Sequence, residues 1–294
     1  MIWRGVFPAI TTPFNEDLSI DHDFLAKHVT WLIDNGCLGI VALGSLGEAA
    51  ALSFDEKVAI LRTCYKAVGH RVPIIAGVSS LTTSEAVDLA KASADAGCKG
   101  LMVLPPYVYK GDWRETHAHF TAVIRSTELS CMLYNNPIAY GTDVVPSQIK
   151  ELAELPNLHA VKESSTDVRR VTGIRELLGD RLAIFVGVDD VLVEGVQAGA
   201  VGWIAGLVNA FPRESVDLYE WTISGRIDDA RKLYEWFLPM LRMDTVPKFV
   251  QLIKLVQQEV GMGNERVRAP RMCVEGVERD EALAVIRQSL ASNR

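Results

Sequence analysis

The chain has 294 residues, 49% of them hydrophobic and 23% charged, an ordinary globular composition large enough to bury a sizeable core. A net charge of −7 with no basic stripe argues against nucleic acid as a partner, and no apolar run reaches the roughly 18 residues that a membrane helix needs. The cysteines, Cys37, Cys64, Cys98, Cys131 and Cys273, are odd in number and lack metal spacing, and the opening MIWRGVFPAITTPF has no long apolar h-region, so free thiols in the cytoplasm are expected.

Short apolar runs alternate with longer segments of helical period along the chain. GVFPAI (5–10) reads as a strand, and 24–33 as a helix with Asp21 as its N-cap. LGIVAL (38–43) is the next strand. The helix after it opens at Ser53 with Glu56 three residues on, a capping box, and its Val58, Leu61, Tyr65 and Val68 step by three and four. PIIAGV (73–78) is a strand again, and Thr82 with Glu85 starts a helix running to Ala96 by the same device. Then come LMVL (101–104), a helix near 113–126, CMLY (131–134), a short helix near 146–153, and AVK (160–162). A helix over 168–178, AIFVG (183–187), a helix near 190–197 and VGWIAG (201–206) complete the series.

Eight such units fit a (β/α)8 TIM barrel, whose buried parallel strands read as near-continuous apolar runs. A doubly wound open sheet is the competing layout, disfavoured by the lack of a GxGxxG segment. The punctuation NGCLGIV, AGCKGLMV and AGAVGWI predicts glycines in left-handed helix caps before three of the strands. After Gly206, residues 212–224, 226–241, 245–260 and 280–292 read as helices without strands between them. Residues 1–210 are therefore expected to form the barrel with its active site, and 211–294 a C-terminal helical extension packed on it.

Active sites of such barrels lie at the C-terminal ends of the strands. Lys162 ends the AVK run. A lysine turned into an apolar mouth loses hydration, which favours the neutral amine that can attack a carbonyl and form an imine. The plainer reading is a strand-end lysine paired with Glu163. Tyr134 ends the neighbouring run and can serve as a general acid/base, or simply as a core tyrosine. GSLGE (44–48) follows the second run; its two glycines let backbone N–H groups converge on an anion, and Ser45 adds a hydroxyl, although an ordinary turn has the same look. Gly44 and Leu46 here, with Gly187 at the end of the seventh run and Ile204 in the eighth, are the candidate substrate contacts. His117 and His119 are too close in a helix to share a face, and Asp189-Asp190 has no companion ligands, so no metal is expected.

Together GVFPAITTPF, GSLGE, YNNP (134–137) and VKES (161–164), with TVPK and VRAP later, resemble the dihydrodipicolinate synthase/N-acetylneuraminate lyase family along the whole chain. The resemblance implies a barrel with a C-terminal helical region, a homotetramer, and class I Schiff-base chemistry on a small 2-oxo or 2-imino acid without cofactor. It implies Lys162 as the imine-forming lysine, Tyr134 as the tyrosine above it, and Ser45 as the hydroxyl linking that tyrosine to a proton relay. The Ser45–Leu46 backbone would hold the substrate carboxylate.

Three departures bear on the reaction. Leu46 stands where the family commonly has a second hydroxyl. Ala139 stands where dihydrodipicolinate synthases carry an arginine. Val108, flanked by Tyr107 and Tyr109, stands where a neighbouring subunit often offers a relay tyrosine. The YNNPIAYG and GVDD stretches look most like those of pyrroline-4-hydroxy-2-carboxylate deaminases. Elimination of water or ammonia is therefore the expected reaction. The alternatives are a 2-keto-3-deoxy sugar-acid dehydratase or aldolase, then a dihydrodipicolinate synthase, and lastly a barrel that binds without catalysis.

Overall fold

The computed structural model describes residues 1–292. The chain runs through β1 (Gly5–Pro8), α1 (His22–Asp34), β2 (Ile40–Ala42), α2 (Phe54–Val68), β3 (Ile74–Val78), α3 (Thr83–Asp95), β4 (Gly100–Val103) and α4 (Trp113–Arg125). It continues through β5 (Ser130–Asn135), the one-turn α5 (Pro137–Tyr140), α6 (Pro146–Leu152), β6 (Leu158–Glu163), α7 (Arg169–Leu178), β7 (Ala183–Val186), α8 (Leu192–Gln197) and β8 (Gly202–Ala205). Then follow α9 (Pro212–Ile223), α10 (Ile227–Leu241), α11 (Phe249–Glu259) and α12 (Gly276–Ala291).

The strands pair in parallel in the order β1-β8-β7-β6-β5-β4-β3-β2. The ring closes between β1 and β2 through the Ala9–Val41 bridge, with Ile10 N–H donating to Val41 O at 2.9 Å and Leu38 N–H to Val6 O at 3.0 Å. This is the (β/α)8 barrel that the alternation predicts. β1, β2, β3, β7 and β8 are shorter than their apolar runs, whereas β5 and β6 extend beyond theirs. Before β2, Gly39 leaves room for the Phe7 ring, whose Cε2 would lie 2.9 Å from a Cβ at that position. Phe7, Phe185 and Trp3 fill the barrel interior, with ring centroids 5.3 Å apart for the phenylalanine pair and 6.0 Å for Trp3–Phe185.

Local signals behave as their chemistry dictates. Asp21 caps α1 by accepting from Phe24 N–H, and Ser53 and Glu56 form the reciprocal box of α2. Thr82 accepts from Glu85 N–H, but the return bond from Glu85 is not made. A third box, Asp112 with Glu115, starts α4. Gly36, Gly97 and Gly199 all have positive φ. The last helix begins at Gly276 rather than near 280, and Glu275 before it makes no side-chain cap, so no local signal marks the start.

The helices after β8 are tied to the barrel by polar bonds as well as apolar packing. Tyr219 Oη of α9 donates to Val201 O at 2.7 Å. Deeper in, Thr11 Oγ1 donates to Gln257 Oε1 of α11 (2.8 Å), His28 Nε2 of α1 lies 2.9 Å from Asn209 O, and Asn209 Nδ2 donates to Ala9 O (2.8 Å). His28 is wholly buried between Phe24 and Trp31, and its Nδ1 has no hydrogen-bond partner among the described residues.

Candidate active site

Strand alternation sets the mouth of the barrel. In β5 and β6, Tyr134 is in register with Lys162, and Lys162 with Phe185 of β7. All three point into the lumen, since successive residues of a strand face opposite sides. Lys162 is 6% exposed. Its Nζ lies 4.2 Å from the centroid of the Tyr134 ring and makes no ion pair or hydrogen bond among the described residues. The pairing with Glu163 does not form: the two face opposite sides. Glu163 instead accepts from Asn135 Nδ2 at 3.1 Å and from Ser165 N–H at 2.7 Å, and burial keeps its carboxyl above the usual range.

Gly187 is where Lys162 finds its room. A Cβ there would lie 2.7 Å from Lys162 Cε and 1.9 Å from Ser164 Oγ. Ile204, buried in β8 opposite Phe7, has the parity of Gly202, whose missing side chain accommodates Phe185. Ile204 therefore belongs to the lumen wall.

The GSLGE loop crosses the mouth from β2. It is bounded by two residues in the left-handed region, Leu43 (φ 63°) and Glu48 (φ 56°), an unfavourable geometry for side chains of that size. Gly77 of β3 permits it, since a Cβ there would meet Leu43 O at 2.5 Å. Thr12 Oγ1 holds Gly47 O at 2.7 Å, and the Ala49 and Glu48 amides satisfy Gly44 O and Ser45 O. The Ser45 and Leu46 amides donate to no group among the described residues. The Leu46 side chain is buried in the core.

Ser45 Oγ bonds Tyr140 Oη and makes no hydrogen bond to Tyr134 among the described residues. Tyr140 comes from α5, which Asn136 caps by accepting from Ala139 N–H at 3.0 Å and which Gly141 ends in the left-handed conformation. The single turn brings Tyr140 edge-on to Tyr134, centroids 5.7 Å apart, while Asn136 Nδ2 donates to Tyr134 Oη at 3.0 Å. Burial, then the neighbouring Tyr134, pushes the Tyr140 phenol up. Tyr107 packs on Tyr140 at 6.1 Å, whereas the exposed Tyr109 reaches Glu115 and Val108 points to solvent. Of the two flanking tyrosines, Tyr107 is the one that joins the cluster.

The mouth is less apolar than the sequence suggests. Asp189, fully buried, accepts from Gly206 N–H (3.1 Å), Leu207 N–H (2.9 Å) and Trp203 Nε1 (3.1 Å). Burial raises it to about 6, with those donors and Lys162 opposing. Asp244, from the turn between α10 and α11, lies against Gly206.

The matching family model is that of the dihydrodipicolinate synthetase family, over residues 3–289. The chain belongs to that family. It is 33% identical over 270 residues to a 4-hydroxy-tetrahydrodipicolinate synthase of Methanothrix thermoacetophila, covering 92% of this chain and 91% of the relative. It is 32% identical over 272 residues to one of Methanospirillum hungatei, with 92% and 93% covered. A crystal structure of the Bacillus anthracis dihydrodipicolinate synthase DapA-2 superposes with a TM-score of 0.94 at 29% identity over the full length of both chains. YagE of E. coli, described in complex with pyruvate, gives 0.93 at 26% identity, covering 99% of this chain and all of YagE. Members of the dihydrodipicolinate synthetase family are class I Schiff-base lyases, and this chain is one of them. Within the family frame, Tyr140 and Asp244 are the mouth residues that the sequence reading leaves out. A sign of Tyr140 was present: Asn-Pro before it and Gly after it are helix start and stop signals that fold the segment back over Tyr134.

Proposed function

We propose that the chain is a dehydratase and deaminase of a small 2-oxo or cyclic 2-imino acid, such as pyrroline-4-hydroxy-2-carboxylate, acting through an imine at Lys162. The observation that carries this reading is the lysine itself: a buried amine with neither ion pair nor hydrogen bond among the described residues, lying over a phenol. In this reading Lys162 attacks C2, and imine exchange opens the ring. The free amides of Ser45 and Leu46, beside Gly44, hold the carboxylate, and Gly187 and Ile204 border the rest of the substrate. Tyr134, with Tyr140 and Ser45 behind it, takes and returns protons as the C3–H bond breaks. The 4-hydroxyl then leaves, and hydrolysis yields ammonia and a 2-oxo semialdehyde.

Elimination is favoured over condensation by Ala139. It is exposed on α5, gives only its amide to Asn136, and places no cation where a second carboxylate would need one. The names of the relatives favour the second reading, condensation of pyruvate with aspartate semialdehyde. A homotetramer fits the exposed Leu81, Val108, Tyr109 and Ile138, on the segments that follow the adjacent β3, β4 and β5. A second copy covering that face would shelter them.

Borohydride reduction with pyruvate, followed by mass spectrometry, tests the imine: the adduct is expected on Lys162, and Lys162→Ala is expected to be folded and without measurable turnover. Retained turnover would sink the imine reading. Product analysis separates the reactions. Ammonia and semialdehyde from the hydroxypyrroline acid are expected, with no useful condensation of pyruvate and aspartate semialdehyde.

A further inference from the structure

Asp244 occupies the short turn Arg242–Thr245 that joins α10 to α11, far in sequence from every strand of the barrel. Its carboxyl reaches the barrel rim because residue 206 has no side chain: a Cβ on Gly206 would lie 2.0 Å from Asp244 Oδ1 and 2.6 Å from its Cγ. Asp244 is half-buried as a residue, but its Oδ1 is shielded and has no hydrogen-bond partner among the described residues. A shielded polar atom left unpaired is costly to the fold. Asp189 alongside is the opposite case, with its oxygens taken by Gly206, Leu207 and Trp203.

The charged groups facing Asp244 are Asp189, Asp190 and Lys162. Burial first, then the charge of Asp189, holds Asp244 well above the usual carboxylate range, and Lys162 only partly opposes this. Asp190 is set toward Arg242, 3.8 Å away. Two neighbouring acids are thus set apart: Asp189 has donors for its anion, whereas Asp244 Oδ1 has none among the described residues and its carboxyl is held toward the acid form.

The layout of a bound substrate points the same way. C2 on Lys162 carries a carboxylate and C3 besides the imine nitrogen. The free Ser45 and Leu46 amides draw the carboxylate toward the β2 loop. Tyr134 and Tyr140 fill the β5 side. What remains for C3 and beyond is the β7–β8 side, bounded by Gly187, Ile204 and Gly206, where Asp244 lies.

We propose that Asp244 is a further catalytic residue of this site, the acid that binds the hydroxyl on C4 and gives it the proton on which it leaves as water. The proposal rests on the elimination reading above. In the step itself, the lone pair of the enamine nitrogen restores C2=N, and the C2=C3 pair moves to C3=C4. The C4–O bond breaks with its electrons, and oxygen takes the Asp244 proton. Water and an Asp244 carboxylate result, and the carboxylate regains a proton from solvent before the next turnover.

The test uses the full chain with two substrates. Turnover of pyrroline-4-hydroxy-2-carboxylate needs the leaving-group acid. Deuterium exchange into the methyl group of pyruvate needs only the imine and enamine at Lys162. Asp244→Asn is expected to lower turnover roughly 10²–10⁴-fold while exchange continues and the borohydride-trapped adduct keeps its hydroxyl. Gly206→Ala, which puts a methyl where Asp244 Oδ1 lies, is expected to give the same split with the acid chemically intact. Wild-type turnover in Asp244→Asn would overturn the proposal. So would a parallel loss of exchange, which would mean that Asp244 only supports Lys162. Absence of exchange in the wild type would instead bring down the imine reading itself.

Discussion

The position of Lys162 depends on what is missing at residue 187. The lysine stem and Ser164 Oγ together occupy the volume that a side chain there would fill. Gly187→Ala should therefore push the amine off its line over Tyr134. Displacement of a reacting group by about 1 Å can cost 10²-fold, so turnover is expected to fall by about that much with an unchanged circular dichroism spectrum. Near-wild-type rates of borohydride labelling would show that the stem simply shifts aside. The place of Lys162 and Tyr134 at the barrel mouth was legible in the sequence, because each ends an apolar run. Tyr140 was harder to see, since its place depends on one helical turn of four residues. Asp244 could not be read at all. It follows an amphipathic helix, and only the three-dimensional fold brings it to Gly206.

At the scale of elements, the GSLGE loop is held from the far end of the chain. Glu48 Oε1 and Lys254 Nζ of α11 form a buried ion pair at 2.6 Å. Glu48 Oε2 accepts from Arg268 N–H at 3.0 Å, and Lys254 also donates to Arg266 O and lies 4.4 Å from the Phe14 ring centroid. With these bonds both charges are compensated. Removing one leaves the other buried and unpaired, which typically costs about 3–5 kcal/mol. Lys254→Met is expected to destabilise the fold by that amount in urea denaturation. The double variant Glu48→Gln/Lys254→Met should cost less than the two single losses added, and strict additivity would show that the pair is not coupled. The strands, caps and left-handed glycines were readable because each is a local matter of a few residues. This pair spans 206 positions, and nothing local in GSLGE announces a cation from α11.

For the molecule as a whole, the buried contact between α1, α11 and the Asn209 turn makes stability depend on pH. Burial lowers the His28 imidazole from 6.5 to about 4, the Asn209 carbonyl opposing only in part. Between those values the unfolded chain binds a proton that the folded chain refuses. The stability that neutral His28 allows is thus fully present above pH 6.5 and is lost as pH falls toward 4, by about 3 kcal/mol. Denaturation midpoints across that window should fall less steeply in His28→Phe than in the wild type, and equal slopes would remove His28 as the cause. The closed ring also has a consequence for synthesis. Gly5 of β1 pairs with Gly202 of β8, and Asn209 Nδ2 bonds Ala9 O across 200 positions. At roughly 5–20 residues per second on the ribosome, the first strand waits about 10–40 seconds for its β8 partner to be made. For that time its apolar Val6 and Phe7 have to be sheltered by something other than the finished barrel.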